Sequence, residues 1–110
     1  MLVFSNQRGQ CHTLAKVNGV FEGPGNPTSV YPGVLETGKK YLVVGHVRND
    51  GNQVGFDIQL DGKPLIKWSG PASSLSIQAQ GRVTPSKRTS LSIGSTQSSI
   101  VIESFRLDLQ

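Results

Sequence analysis

The hydrophobic and polar residues between positions 40 and 69 alternate with the period of β-strands. In residues 53–60 the alternation is strict, and one side carries Val54, Phe56, Ile58 and Leu60. The other side carries Gly55, Asp57 and Gln59. Because successive side chains of a strand point to opposite faces, this pattern predicts a strand with one buried and one wetted face.

Two turn sequences flank this strand. Asn49-Asp50-Gly51-Asn52 precedes it, and Asp61-Gly62 separates it from residues 63–68. Asp-Gly favours a type I′ turn, because both central positions of that turn need positive φ. Residues 40–69 therefore predict a three-stranded antiparallel meander. Its first strand, Tyr41 to Arg48, is apolar on both sides through Val44, so we expect it to be central.

The rest of the chain also indicates short strands separated by turns. Asn18-Gly19 is a second turn dipeptide, and residues 22–33 are too rich in Pro and Gly for regular structure. Apolar residues change parity in the last segment, which indicates a β-bulge or a strand that passes from one sheet environment to another. Together with the meander, the further predicted strands make eight or nine and cover residues 2–5, 11–17, 74–79, 89–95 and 99–109. The prediction is an all-β fold, an antiparallel β-sandwich.

Composition agrees with this fold and narrows the partners. A chain of 110 residues is one domain, and its 13 glycines and 6 prolines suit many turns. The net charge of +4 is spread along the chain. The one basic cluster, Arg82, Lys87 and Arg88, lies among Gly, Thr, Pro and Ser and is interpreted as a solvated loop. We expect no nucleic-acid partner.

Cysteine and histidine are too few for a disulfide or a zinc site. Cys11 is the only cysteine, and His12 and His46 are the only histidines. Calcium needs several oxygen ligands, and turn chemistry explains Asn49–Asn52 and residues 22–26 without a metal. We expect no metal and no cofactor.

The chain shows no targeting or membrane-spanning segment. No stretch approaches the ~18 apolar residues of a membrane span. The apolar start, residues 1–4, is too short for a signal peptide. A cytoplasmic protein and a piece of a longer exported precursor both stay open, so the compartment is unknown.

An ordered series of motifs resembles a known family. It consists of Asn26-Pro27-Thr28, residues 35–41 (LETGKKY), the strand 43–48, residues 60–68 (LDGKPLIKW), Ile93-Gly94-Ser95 and residues 101–107. Over about residues 1–109 the chain resembles concanavalin A-like (laminin G-like) jelly-roll domains. It particularly resembles versions found in bacterial multidomain proteins and in a sugar hydrolase-like family of unknown function related to 3-keto-disaccharide hydrolases. The resemblance implies a jelly-roll sandwich.

The chain is shorter than such jelly rolls usually are. Three interpretations stay open: a smaller core, a partner chain that completes the sandwich, or a fragment of a larger jelly roll. No catalytic or metal-binding residue of the family aligns with this chain, and none is carried over.

Five residues are candidates for a ligand site. An exposed Trp68 would stack on a sugar ring, although a core tryptophan is the competing interpretation. The other four, His46, Arg48, Asp57 and Gln59, share a polar sheet face if their strands pair through the Asn49–Asn52 turn. An ordinary solvated sheet surface with an Arg–Asp cross-strand pair is the competing interpretation. In the register we expect, Arg48 lies near Gln53 and His46 near Gly55, with Asp57 diagonal to His46.

These candidates favour binding over catalysis. Glycoside hydrolysis needs two carboxylates about 5–9.5 Å apart, and the seven acidic residues are scattered. No Gly-x-Ser-x-Gly elbow occurs. The leading hypothesis is a non-catalytic, carbohydrate-binding or adhesion-type module. The alternatives are a structural or protein-interaction module completed by self-association as a homo-oligomer, and a truncated glycoside hydrolase-like domain.

Overall fold

A computed structural model describes residues 2–5, 9–14, 16–76 and 98–108. The chain divides into two units, Met1–Gln78 and Ala79–Gln110. All the described strands belong to the first unit. They are β1 (Leu2–Ser5), β2 (Cys11–Leu14), β3 (Val43–Asn49), β4 (Gln53–Leu60) and β5 (Lys63–Pro71), and the 3-10 turn Ala72–Ser74 follows β5.

The strands form two antiparallel sheets. One sheet pairs β1 with β2, and the other has the order β3-β4-β5. The predicted meander and the all-β class are confirmed. The prediction that the first meander strand is central is wrong for the described sheet, because β4 lies in the middle and β3 at an edge. A run of β-branched residues favours a strand, but it does not by itself show which strands flank it.

Two tight turns have the backbone that their sequences predict. Asp61 and Gly62 have φ values of 51° and 77°, and Asn18 and Gly19 have values of 49° and 76°. Positive φ at both central positions is the signature of a type I′ turn, whose twist matches that of the flanking strands. Asp61-Gly62 thus joins β4 directly to β5.

The turn between β3 and β4 is shorter than the predicted four-residue turn Asn49–Asn52. The N–H of Asp50 donates to the carbonyl of Gln53 at 3.1 Å, so Gly51 and Asn52 alone form the loop. The Asp50 carboxylate accepts the N–H groups of Gln53 (2.8 Å) and Asn52 (3.2 Å). These bonds, that from Gln53 foremost, lower the pKa of Asp50, because they stabilise the charged form.

The short loop moves the register by two residues. His46 pairs with Asp57, and Arg48 pairs with Gly55. The expected pairs, Arg48 near Gln53 and His46 near Gly55, are wrong. The reason is that pairing continues through Asp50 and Gln53 instead of stopping at Arg48.

The core contains apolar residues from both sheets. Leu14, Val17, Ile58 and Ile66 are buried against one another. Partly buried side chains surround them, among them Phe4, Phe56, Leu65, Trp68 and Leu75. One face of β4 and β5 is therefore covered, as the alternation in residues 53–60 predicts.

Asn26 organises the Pro- and Gly-rich segment that follows β2. Its side chain is buried, and its amide N–H groups donate to the carbonyls of Leu14 (2.8 Å) and Val20 (3.1 Å). Its carbonyl oxygen accepts the N–H (2.9 Å) and the hydroxyl (2.6 Å) of Thr28. The Thr28 hydroxyl oxygen in turn accepts the N–H of Leu14 at 2.9 Å. An irregular segment is thus held to β2 by side-chain hydrogen bonds, together with one pair of main-chain hydrogen bonds between His12 and Val30 (3.0 and 2.8 Å).

The same segment ends in a close approach of two main chains. The Gly33 N–H donates to the carbonyls of Gly9 and Gln10, each at 3.0 Å. A Cβ atom on residue 33 would overlap the main chain of Cys11. Only glycine fits this position without a backbone shift.

Three further predicted strands are described only in part or not at all. Residues 77–97, which include half of predicted strand 74–79 and all of 89–95, lie outside the described residues. Of predicted strand 99–109, residues 99–108 are described; they have no regular secondary structure and their side chains are exposed. No helix within the described ranges is long and apolar enough to cross a membrane.

We expect Asn26→Ala to lower the free energy of unfolding by about 2–4 kcal/mol. The substitution leaves the Leu14 and Val20 carbonyls and the Thr28 N–H without these partners, and an unsatisfied buried polar group costs about 1–3 kcal/mol. Urea unfolding measures the change. Asn52→Ala, at an exposed turn position, is the control and should stay within about 0.5 kcal/mol of the parent chain. Equal stabilities for the two variants would contradict the role of Asn26.

Candidate functional site

The outward side of the β3-β4-β5 sheet carries a set of polar side chains that we call the polar face. Its register rows run across all three strands. His46 pairs with Asp57, which pairs with Lys67; Arg48 pairs with Gly55, which pairs with Ser69. Gln59 lies two residues beyond Asp57 and shares its side of β4. The polar face therefore consists of His46, Arg48, Asp57, Gln59, Lys67 and Ser69.

Side chains directly opposite one another on an antiparallel pair have Cβ atoms about 4.5–5.5 Å apart. His46 and Asp57 are thus neighbours and not the diagonal pair that the sequence analysis expected. Asp57 is half-buried, while His46 and Lys67 on either side of it are exposed. The central row alternates hydrogen-bond donors with a carboxylate acceptor, and it is open to solvent.

Arg48 extends over the next strand because residue 55 is glycine. A Cβ atom on residue 55 would lie 3.5 Å from Nε and from Nη2 of Arg48. The guanidinium therefore covers the position that a side chain on β4 would occupy. It presents its donors near the middle of the sheet instead of at the edge from which Arg48 starts.

A shallow cavity of about 300 Å³ adjoins the guanidinium at the hairpin end of the sheet. Arg48, Asp50, Gln53, Gly55 and Ser69 contribute to its lining. Ligand cavities in proteins start at about this volume. Its walls offer guanidinium, carboxylate, amide and hydroxyl groups, which together can donate to and accept from a polyhydroxy ligand.

Trp68 does not lie on the polar face. It pairs with Phe56, one residue away from the Asp57–Lys67 row, so its side chain projects from the other side of the sheet. The two ring centroids are 6.3 Å apart, and Trp68 packs against the core. A Cβ on Gly70 would lie 2.7 Å from the indole ring, so the ring lies over Gly70.

The five predicted site residues therefore do not form one site. Four of them, His46, Arg48, Asp57 and Gln59, share the polar face, and Trp68 belongs to the core side. The physical reason is the two-residue period of a strand: Lys67, next to Trp68, takes the outward position.

Lys67 and Ser69 are not among the predicted site residues, and Gly55 is predicted on the wetted face of β4 without a role. The alternation of β5 contained the signal for the first two, because a core-facing Trp68 requires outward-facing neighbours at 67 and 69. Nothing in the sequence marks Gly55 as the residue beneath a guanidinium. That contact depends on the register of β3 against β4.

Two further reactive side chains are buried in β2, away from the polar face. Burial raises the pKa of the Cys11 thiol, and the negative charge of Glu22 adds to the effect. Burial lowers the pKa of His12, whose ring makes an edge contact with Phe4 at 5.5 Å between centroids. Within the described ranges, no three His, Cys, Asp or Glu side chains are grouped closely enough to hold a metal ion.

Comparison with known proteins yields no relative. No protein-family model, no curated protein and no solved structure matches this chain. The concanavalin A-like resemblance thus stays a prediction from sequence motifs.

We expect the chain to lose stability as the pH falls below about 6.5, because of His12. The unfolded chain binds a proton at about pH 6.5. Folded His12 has a lower pKa and stays neutral there. The unfolded state therefore binds more protons in this window, and stability decreases from about pH 6.5 down to the folded pKa. Each unit by which the pKa of His12 is lowered corresponds to about 1.4 kcal/mol in the free energy of unfolding.

Urea unfolding at pH 7.5 and 5.0 measures this loss, and an NMR titration of the imidazole reports the folded pKa directly. His12→Gln should reduce the difference between the two pH values. His46→Gln, which replaces the exposed histidine, should preserve it. A His12 resonance that titrates at pH 6.5 or above would overturn the prediction.

Proposed function

We propose that this chain is a non-catalytic carbohydrate-binding module whose ligand lies on the polar face of the β3-β4-β5 sheet. The observation that carries the proposal is the row His46–Asp57–Lys67 beside the guanidinium of Arg48. Donors and acceptors alternate there on an open surface, which is the arrangement that sugar hydroxyls require.

The size and charge of the surface favour a short neutral saccharide. The cavity of about 300 Å³ suits one or two sugar rings. Positive charges of Arg48 and Lys67 are interspersed with negative charges of Asp50 and Asp57, so neither sign dominates. A ligand of either net charge would meet repulsion from part of the surface.

Each polar-face residue has a role in this proposal. Arg48 donates from its planar guanidinium to ring or hydroxyl oxygens. Asp57 accepts from a pair of hydroxyls, flanked by donors from His46 and Lys67. Gln59 extends the surface toward the Asp61-Gly62 turn with an amide that both donates and accepts.

Trp68 supports the site from behind instead of stacking on the sugar. Its contacts with Phe56 and the core stabilise the strand that carries Lys67 and Ser69. Binding through hydrogen bonds alone, without an aromatic platform, predicts weak affinity for a single ligand unit.

The proposed architecture is a concanavalin A-like jelly-roll sandwich, to which the two antiparallel sheets would belong. The motif series supports it, and so does a core that both sheets share. Binding without catalysis is proposed because glycoside hydrolysis needs a second carboxylate at a suitable distance. Asp50 and Asp61, the carboxylates nearest in sequence to the polar face, both accept main-chain N–H groups at the turns.

A glycan array followed by calorimetry tests the proposal. The array should identify a neutral saccharide, and Asp57→Asn and Arg48→Gln should each weaken its binding at least about tenfold, which corresponds to about 1.4 kcal/mol. Trp68→Phe is the matched control from the opposite side of the sheet. It should lower thermal stability while leaving affinity within about twofold.

Two results would count against the proposal in different ways. If Trp68→Phe abolished binding while Asp57→Asn did not, the ligand would lie on the other side of the sheet. If the folded protein bound no glycan on the array, the carbohydrate function itself would be wrong.

A further inference from the structure

The two outer strands of the β3-β4-β5 sheet differ in how their edges are protected. β5 contains Pro64 and Pro71, which have no N–H to offer, together with Lys63 and Lys67. Prolines and lysines are typical of edges that stay unpaired. β3, Val43–Asn49, contains neither. Within the described sheet, β3 is therefore the edge that lacks protection against another strand.

The main chain of β3 directs alternate groups outward. The Asp61 N–H donates to the Leu42 carbonyl (2.8 Å), and the Asp50 N–H donates to the Gln53 carbonyl (3.1 Å). Hydrogen-bonded pairs alternate along an antiparallel ladder, so the even-numbered residues of β3 bond to β4. The odd-numbered residues Val43, Gly45 and Val47 then direct their N–H and C=O groups away from the sheet.

Two of these residues, Val43 and Val47, have apolar side chains that the core does not cover. Val43 is 44% exposed and Val47 is 61% exposed. Their partners on β4, Leu60 and Phe56, are half-buried on the same side of the sheet. The apolar side of the sheet thus extends past its covered part, up to the open edge.

We propose that this edge pairs with β3 of a second copy of the chain, antiparallel and about a two-fold axis at Gly45. In that register Gly45 faces Gly45 of the second copy, and Val43 faces its Val47. The outward main-chain groups of one copy then meet those of the other, since odd residues pair with odd residues. Two three-stranded sheets become one continuous sheet, and the four valines form one apolar stripe.

The charges of β3 and of the residues that flank it agree with this register. Arg48 lies opposite Leu42 of the second copy, so the two guanidinium groups are kept apart. Asp50 lies opposite Lys40 of the second copy, and symmetry repeats this attraction at the other end. Like charges directly opposite would destabilise the pairing, and the Gly45 axis places none opposite one another. The proposal is independent of glycan binding, because it uses the edge of the sheet and not the polar face.

Sedimentation velocity over a range of concentrations tests the association. We expect a monomer–dimer equilibrium, weak because an edge-to-edge contact is small. Val47→Lys should raise the dimer dissociation constant at least about tenfold, since it adds two charges to the apolar stripe. Val34→Lys is the matched control: Val34 is also 61% exposed but lies outside the strands, and its substitution should leave the constant unchanged.

A cysteine experiment tests the register. Gly45→Cys should form a covalent dimer under mild oxidation, because hydrogen-bonded antiparallel pairs have Cα atoms about 5.5 Å apart, which a disulfide can bridge. Val47→Cys is the control on the same strand. The two copies of residue 47 would lie four residues apart along the strand, about 13 Å, and should not link. Cys11, the only native cysteine, is buried and should not interfere.

A chain that stays monomeric at all concentrations would overturn the proposal, whatever then covers the edge of β3. A dimer that Val47→Lys leaves intact would overturn it as well. Cross-linking of Val47→Cys in place of Gly45→Cys would show a different register and contradict the axis at Gly45.

Discussion

One face of the strand β4 is buried in the core and the other faces solvent. The rest of the described structure follows from this arrangement. Val54 and Ile58 face a core that includes Leu14 and Val17. The positions between them therefore face outward, which brings Asp57 to solvent. The apolar side chains stabilise the sheet through burial, while the polar ones are positioned at no further cost to the core.

The described core is small: it contains side chains of both sheets, and the irregular segment after β2 adds Val30 at its margin. Asn26 stabilises this segment, because its side-chain amide forms hydrogen bonds with main-chain groups of β2 and of its own loop. Buried side-chain polar atoms in the described part of the chain all have partners. The core does not extend to β3, so the side chains of Val43 and Val47 stay exposed.

The two proposals use different atoms of one sheet. A saccharide would contact side chains of the polar face, such as Asp57 and Arg48, whereas a second copy would contact main-chain groups at the edge of β3. The two are also geometrically compatible. A two-fold axis perpendicular to the sheet keeps the polar faces of both copies on the same side, so the binding surface would become continuous across the dimer.

The local features of the structure could be predicted from the sequence alone. Strict alternation predicted β4 with its two faces, and Asp61-Gly62 predicted the type I′ turn, because both depend on residues close together in the chain. Features that join distant residues follow only from the fold. They are the position of His46 opposite Asp57, of Arg48 over Gly55, of Trp68 on the core side and of β3 at an edge. One hydrogen bond in the Asp50–Gln53 turn shifts the register by two residues, and contacts such as Asn26 with Leu14 join distant positions. These pairings depend on which surfaces pack together in the folded chain, and the periodicity of the sequence does not predict that.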